Sequence, residues 1–442
     1  MLIEFRVSNY RSIGEEQVLS LVPAPKQKEY LDNIIRNGKH EALNVVALYG
    51  ANASGKSNLL KAMNTFSMII SFYARFPSTY KLPYEPFLLR EGWNKKPTCY
   101  EIVFLIGESR YRYGFEFNQL EIVSEWLFKK SSSREVNLFQ RSRDVIDVSS
   151  ALKGSKQKAI ETTKDNALFL SYCDIFKIEE GQKIINWLQN FIIVDGLKTE
   201  DEVIGTFKLF DDPIYRQKIK GYLTALNIGI VDLEVVSKDF DESELGHEIP
   251  EEFRNVLISS LTGKKGYSVD TMHHLYDQNG KKTSKQHIWK LEEKESSGTI
   301  KAFHLSGPVI WALMNGGVLI IDEIEAKMHP IMTLQTINMF LNKEINTNNA
   351  QLIFATHDTN LLSYAKLRRD QIYFAEKNEW ESTEFYSLSD FVFLDKNGSN
   401  LKSTRERPDA DKEKRYFEGR YGAIPVLGNF NIARSKENGN KW

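Results

Sequence analysis

Cysteine is almost missing from this sequence: Cys99 and Cys173 are the only two in 442 residues. They sit far apart, neither has metal-ligand neighbours, and such sparing use suits a reducing compartment. Net charge is nearly absent as well, at −1. No global field therefore calls for nucleic acid or an acidic membrane, although a local basic patch stays open. No apolar run approaches the roughly 20 residues of a membrane span. Glu4, within "MLIEFRVSNYRSI", comes too early for a secretion signal. Sustained heptads are missing too, which excludes a long coiled-coil arm. What remains is 41% apolar and 26% charged, the balance of a soluble globular protein. The expectation is a cytoplasmic protein, too long for one simple core and short for three full domains.

The densest chemical signal is "LYGANASGKSNLLKAM", Leu48 to Met63. A buried strand is expected over "LNVVALYG", ending at Gly50. From Ser57, Leu59, Leu60, Met63, Phe66 and Ile69 share one side of a helix. Between strand and helix stands Gly50-x-x-x-x-Gly55-Lys56-Ser57, the full phosphate-loop pattern. Gly50 can turn where a side chain would collide. Backbone N–H groups from Asn52 to Ser57 can point at phosphates, helped by the helix start. Lys56 can reach the terminal phosphates and Ser57 can hold Mg²⁺. Gly50, Asn52, Ser54, Gly55, Lys56, Ser57 and Asn58 are the candidate nucleotide-binding set.

A second motif lies far downstream. "NGGVLIIDEIE" carries a continuous apolar run, Val318 to Ile321, as a central parallel strand should. Asp322 and Glu323 stand at its carboxyl end, where ligands bind in open α/β sheets. Adjacent carboxylates there repel each other unless a cation holds them. Asp322 is the candidate for orienting Mg²⁺ or its water, and Glu323 for polarising the attacking water. Glu325, two positions on, is the competitor should the register slip. "AQLIFATHDTNLL" then gives another short strand, Leu352 to Ala355, followed by His357, a candidate γ-phosphate sensor. Upstream, Ser296, Ser297 and Gly298 precede an apolar helix from Ile300 to Leu313, a weak anion-site signal by itself. Leu305-Ser306-Gly307-Pro308 is rejected as a rival because it falls inside that helix.

Phosphate loop, serine-glycine signature, acidic strand and histidine together resemble an ATPase head of the ABC class. "IEFRVSNYRSI", Ile3 to Ile13, resembles the first strand and turn of RecF and SMC heads. Closer still are bacterial ATPases related to the overcoming-lysogenization-defect (OLD) nucleases. Their usual text, "LSSGT", "GGVLVIDEID..LHP" and "TTH", is matched by Glu295-Ser296-Ser297-Gly298-Thr299, by Gly316 to Glu325 with His329-Pro330, and by Ala355-Thr356-His357. "YFEGRYGAIPVL", Tyr416 to Leu427, resembles the tail of RloA-like and AbiL-like ATPases of phage-defence and restriction loci. Two departures are Glu295, where leucine is usual, and the signature glycine pair, reduced here to Ser297-Gly298. The resemblance implies an α/β phosphate-loop NTPase head with an antiparallel β subdomain. It implies ATP and Mg²⁺ as ligands. It also implies a homodimer with composite sites, in which Ser296 and Gly298 face the nucleotide of the second subunit. A higher homo-oligomer and DNA contact stay open.

Strong alternation from Cys99 to Phe128, with a turn at Gly107 to Ser109, reads as antiparallel strands, and Ser131 to Lys158 as a further hairpin. Arg110 and Arg112 are expected in solvent. From Asn166 to about Leu226 the pattern turns helical, with Asp212-Pro213 marking a helix start. Lys238 to Phe253 reads as a polar, acidic loop. His273 and His274 are adjacent in a strand-like run and so point opposite ways, which excludes paired metal ligation. The expected division is 1–165, an N-terminal lobe with the phosphate loop; 166–257, an inserted helical arm and variable loop; and 258–442, a C-terminal lobe with the signature, acidic strand and histidine. No second cluster of acidic strand ends suggests a nuclease. The expected function is an ATP-hydrolysing sensor of phage infection that controls a separate nuclease or toxin, without membrane contact. The alternatives are a RecF-like DNA-repair ATPase and a nucleotide-dependent scaffold.

Overall fold

A computed structural model describes residues 1–25, 27–131, 134–198, 203–239, 265–394, 400–407 and 410–425. Its centre is a six-stranded sheet. The spatial order is Phe191–Asp195, Val318–Asp322, Gln351–Ala355, Val45–Tyr49, Ile372–Lys377 and Thr383–Ser387. All neighbours run parallel except the last pair. Every residue of Val45–Tyr49 is buried. A strand covered on both faces needs no polar alternation, hence the unbroken "VVALY". Alternate residues still serve opposite faces. Val46, Leu48, Ile320 and Ile353 enter one core, while Val45, Ala47, Leu319, Ile321 and Phe354 enter the other.

The first core is closed by the helix Lys56–Phe72 and a seven-stranded antiparallel sheet. That sheet runs Val145–Val148, Val136–Ser142, Ile122–Lys130, Ser109–Phe117, Thr98–Ile106, Leu2–Ser8, Gln17–Ser20. Phe66 stacks on Phe115 at 5.5 Å and meets Tyr100 edge-on at 6.2 Å. Offset and edge-on ring pairs of this kind add to the area they bury. Gln351 clasps the two sheets. Its Oε1 accepts from Leu2 N at 2.6 Å, and its Nε2 donates to Leu2 O and Leu43 O, both at 3.0 Å.

The second core lies under Val203–Phe210, Pro213–Ala225, Ser297–Asn315 and Pro330–Leu341. Asp212 caps Pro213–Ala225, accepting from Ile214 N at 2.7 Å, as the Asp-Pro pair predicts. Leu305 to Pro308 lies buried within Ser297–Asn315, and Gly307 lets Thr206 pass against the helix backbone. A three-stranded antiparallel sheet, Asp232–Asp239, Lys265–Tyr276 and Lys282–Lys290, leads into the signature helix.

Two expectations change. The segment 166–226 is not helical throughout: Phe191–Asp195 leaves its helix-like pattern to pair with Val318–Asp322. The helices Phe169–Ile175 and Glu179–Leu188 before it lie against the first core. Each core thus takes residues from 1–165, 166–257 and 258–442. Arg112 is not free in solvent. It pairs with Glu101 at 3.2 Å and Glu135 at 3.0 Å over the Phe128 ring. Most of Lys238 to Phe253, and the tail beyond Pro425, lie outside the described residues.

Glu125 ties the antiparallel sheet to the helices. Its fully buried carboxylate accepts from Tyr113 Oη at 2.9 Å, Phe169 N at 2.7 Å and Leu170 N at 3.0 Å. It satisfies the first N–H groups of Phe169–Ile175, which that helix cannot satisfy itself. Glu125→Ala leaves those donors and Arg141, 3.9 Å away, without their anion. It should cost about 3 kcal/mol, read as a lower midpoint in thermal unfolding.

Candidate functional site

The phosphate loop hangs between Val45–Tyr49 and Lys56–Phe72. Gly50 and Gly55 have φ values of 151° and 105°. A side chain on Gly50 would strike Ala375 O, and one on Gly55 would strike Thr383 Oγ1. The first N–H groups of the helix, at Lys56, Ser57 and Asn58, point out of its start without helical acceptors. Asn58 N turns back to Gly55 O at 3.0 Å. Ser54 is buried and its hydroxyl has no hydrogen-bond partner.

The loop is pinned from one side by residues that its own motif does not include. Thr383 Oγ1 donates to Ser54 O at 2.8 Å and lies 2.8 Å from Ser12 Oγ. Ser12 Oγ accepts from Asn58 Nδ2 at 2.7 Å, and Ser12 O from Thr383 N at 2.8 Å. The turn after the first strand and the edge strand Thr383–Ser387 therefore fix the loop's shape together.

Lys56 Nζ donates to Gly50 O at 2.7 Å and Ala51 O at 3.1 Å. Burial pulls its ammonium down to about 8, against the fields of Asp322, Glu325 and Glu323. Those three carboxylates stand at or just beyond the end of Val318–Asp322, two strands over from Val45–Tyr49 in the sheet. Burial pushes the Asp322 carboxyl up; the nearby Ser57 hydroxyl opposes this, and Asp195 adds to it. Asp322 Oδ1 is buried and has no hydrogen-bond partner. A half-buried hydroxyl and carboxylate with a spare buried oxygen form an all-oxygen donor set that fits Mg²⁺.

Glu323 adopts φ 48°, a left-handed conformation that costs about 1 kcal/mol for a residue with a Cβ. Glu325 does something different. Its Oε1 accepts from His357 N at 2.6 Å, tying the acidic turn to the histidine strand. Burial, then Lys56, pulls the His357 imidazole below its ordinary value. His357 lines a cavity of about 720 Å³ with Gly50, Asn52, Tyr416 and Phe417. The structure thus gathers Gly50 to Asn58, Asp322, Glu323 and His357 around one loop.

Among the described residues, no hydrogen bond joins Ser296, Ser297 or Gly298 to that loop. Ser296 caps the helix Ser297–Asn315 by accepting from Thr299 N at 3.1 Å. Gly298 lies against Lys327 O. The unusual Glu295 has a structural partner set: its Oε1 accepts from Thr271 Oγ1 at 2.8 Å, His273 Nε2 at 2.7 Å and Trp289 Nε1 at 2.7 Å. Leucine could not anchor the three-stranded sheet this way. Gln119, a possible nucleotide-side glutamine, sits in an exposed turn whose carbonyl accepts from Leu82 N.

Sequence reasoning passed over Ser12, Thr383, Asp195 and Lys301. Asp195 carried a readable signal, since "FIIVD" repeats the apolar-run-then-aspartate pattern of "VLIID" and pairs with it in register. Ser12 and Thr383 carried none, because single hydroxyls joined across 371 residues have no local pattern.

This geometry defines a phosphate-loop ATPase domain. Within that class the chain belongs to the family described as "AAA domain, putative AbiEii toxin, Type IV TA system", whose model matches residues 45–363. No curated protein matches the chain. Among solved structures, the SMC head domain from Thermotoga maritima is 12% identical, with a TM-score of 0.40 over 87% of this chain and 98% of that one. An SMC head bound to the C-winged helix domain of ScpA is 12% identical, with a TM-score of 0.44 over 87% and 97%. RecF of the RecFOR pathway is 13% identical, with a TM-score of 0.31 over 87% and 98%. Likeness at these scores says nothing of substrate or partner. Among the described residues no helix is long and apolar enough to cross a membrane.

Thr383→Val keeps the side-chain volume but leaves Ser54 O without its donor. MgATP affinity should fall about tenfold, near 1.4 kcal/mol. Titration with labelled MgATP checks this, and an unchanged affinity would show that the loop holds its shape without the edge strand.

Proposed function

We propose that this chain hydrolyses ATP to ADP and phosphate, and that the cycle controls a separate nuclease or toxin in a cytoplasmic anti-phage defence system. The observation that carries the hydrolysis reading is the convergence of Lys56, Ser57, Asp322 and Glu323 on one loop, with Lys56 in the field of the carboxylates. The defence reading is supported by the toxin–antitoxin context in the family's description and by the resemblance of the tail to ATPases of restriction loci.

Phosphoryl transfer needs charge neutralised around the γ-phosphate and a water held in line. The loop N–H groups cradle the phosphates, and Lys56 leaves Gly50 O and Ala51 O to face the terminal ones. Ser57 and Asp322 would hold Mg²⁺, which would neutralise phosphate charge. Glu323 accepts the proton of the attacking water, and His357 contacts the γ-phosphate. Ser296, Ser297 and Gly298 close the site of a second copy, as the resemblance to ABC-class heads implies. ATP then joins two heads, hydrolysis parts them, and the effector is held or released accordingly.

Lys56→Ala should abolish turnover and weaken MgATP binding. Asp322→Asn should shift the Mg²⁺ dependence of both binding and hydrolysis. Glu323→Gln should spare binding, slow single-turnover hydrolysis by roughly 10² or more, and accumulate an ATP-bound larger species in light scattering. If Glu325→Gln is inactive while Glu323→Gln keeps a near-normal rate, the base is Glu325 instead. Mixing Lys56→Ala with Ser296→Arg protein should restore part of the turnover, since one mixed site keeps both intact halves. A mixture of demonstrated heterodimers no more active than either parent would reject the shared site.

A further inference from the structure

Lys301 is a buried cation that the hydrolysis scheme leaves unused. It sits one turn into Ser297–Asn315, 1% exposed, between the apolar neighbours Ile300 and Ala302. An uncompensated ammonium is expensive in such surroundings, and a methionine would fill the space at less cost. Its hydrogen bonds go to two backbone carbonyls, Glu323 O at 3.2 Å and Ile324 O at 3.1 Å.

Those carbonyls belong to the turn that departs from the acidic strand. Glu323 is left-handed there, and so is Lys327, at φ 61°. The turn is held at other points too: Ala326 N donates to Glu323 O at 3.0 Å, Met328 N to Glu325 O at 2.9 Å, Ile324 N to Ala355 O at 3.2 Å, and His357 N to Glu325 Oε1 at 2.6 Å. Among the described residues, though, only Lys301 bonds the carbonyls of both Glu323 and Ile324. The signature helix touches it again at Gly298, where a Cβ would stand 2.9 Å from Lys327 O. The start of the signature helix and the acidic turn are therefore in contact at two places. Removing the ammonium leaves the Ile324 carbonyl without this donor, and Glu323 loses the contact that favours its left-handed form.

We propose that Lys301 is a positioning residue for Glu323: reaching from the signature helix, it holds the turn's backbone in the conformation that keeps the Glu323 carboxylate facing the phosphate loop. This rests on the hydrolysis reading above. It gives the helix two duties. Its first residues meet the nucleotide of the second copy, and Lys301 sets the water-activating residue of its own. A signature serine displaced by a missing nucleotide would then loosen Glu323 in the other site.

The test uses full-length protein and radiolabelled MgATP. Lys301→Met should lower kcat at least tenfold in single turnover while KM and MgATP affinity stay within about twofold. In the Glu323→Gln background the same change should add nothing, because its effect runs through the missing carboxylate. Independent, multiplicative losses in the double variant would overturn the proposal, as would a wild-type kcat in folded Lys301→Met. Lys301→Gln, which keeps one donor, is the second variant should methionine prevent folding. An intermediate loss confined to kcat supports the proposal, and a wild-type rate overturns it. If Glu323→Gln itself hydrolyses ATP normally, Glu323 is not the water-activating residue, and that result is distinct from a failure of Lys301 alone.

Discussion

The helix Lys56–Phe72 is wedged between two sheets, and the rest of the structure depends on that wedge. Phe66 meets the aromatic face of the antiparallel sheet, while Ile69 and Leu60 share the core that Ile320 and Ile353 enter from the parallel sheet. A helix gripped on both sides can present its first N–H groups to a ligand without fraying. An isolated glycine loop would not stay open, since fixing each of its residues costs on the order of 1 kcal/mol or more. Gln351, bonded to both Leu2 and Leu43, keeps the sheets in step at the far end of the strands.

The site is accordingly built from strand ends and hydroxyl staples. Parallel strands bring Asp195, Asp322 and the loop after Tyr49 to one edge. That edge concentrates carboxylates beside one lysine, an arrangement that suits a polyanion bound together with a divalent cation better than either alone. A cation beside Asp322 would offset the burial that pushes its carboxyl up.

The second core has a different task. It joins the three-stranded sheet, the signature helix and the acidic turn through specific polar contacts: Glu295 to Thr271, His273 and Trp289 on one side, Lys301 to Glu323 and Ile324 on the other. Glu295 and Lys301 are each satisfied by another element, so a shift of one element would unsatisfy these groups. An element coupled in this way has few intermediate positions, as a nucleotide-governed switch requires.

Local chemistry was legible in the sequence because its causes are local. Gly50, Gly55, Lys56 and Ser57 are read from spacing alone, and Asp322 from an apolar run that ends in a carboxylate. The antiparallel sheet followed from alternation with period two. Phe191–Asp195 escaped because a short apolar run after a helix has no period of its own, and only its pairing with Val318–Asp322 makes it a strand. The sequence by itself determined which residues could grip phosphate and metal. Tertiary structure alone decided that Ser12 and Thr383 brace the loop, that Glu295 anchors a sheet, and that Lys301 reaches Glu323. Those contacts join residues between 22 and 371 positions apart, and hydrogen bonds over such separations exist only once both cores have closed.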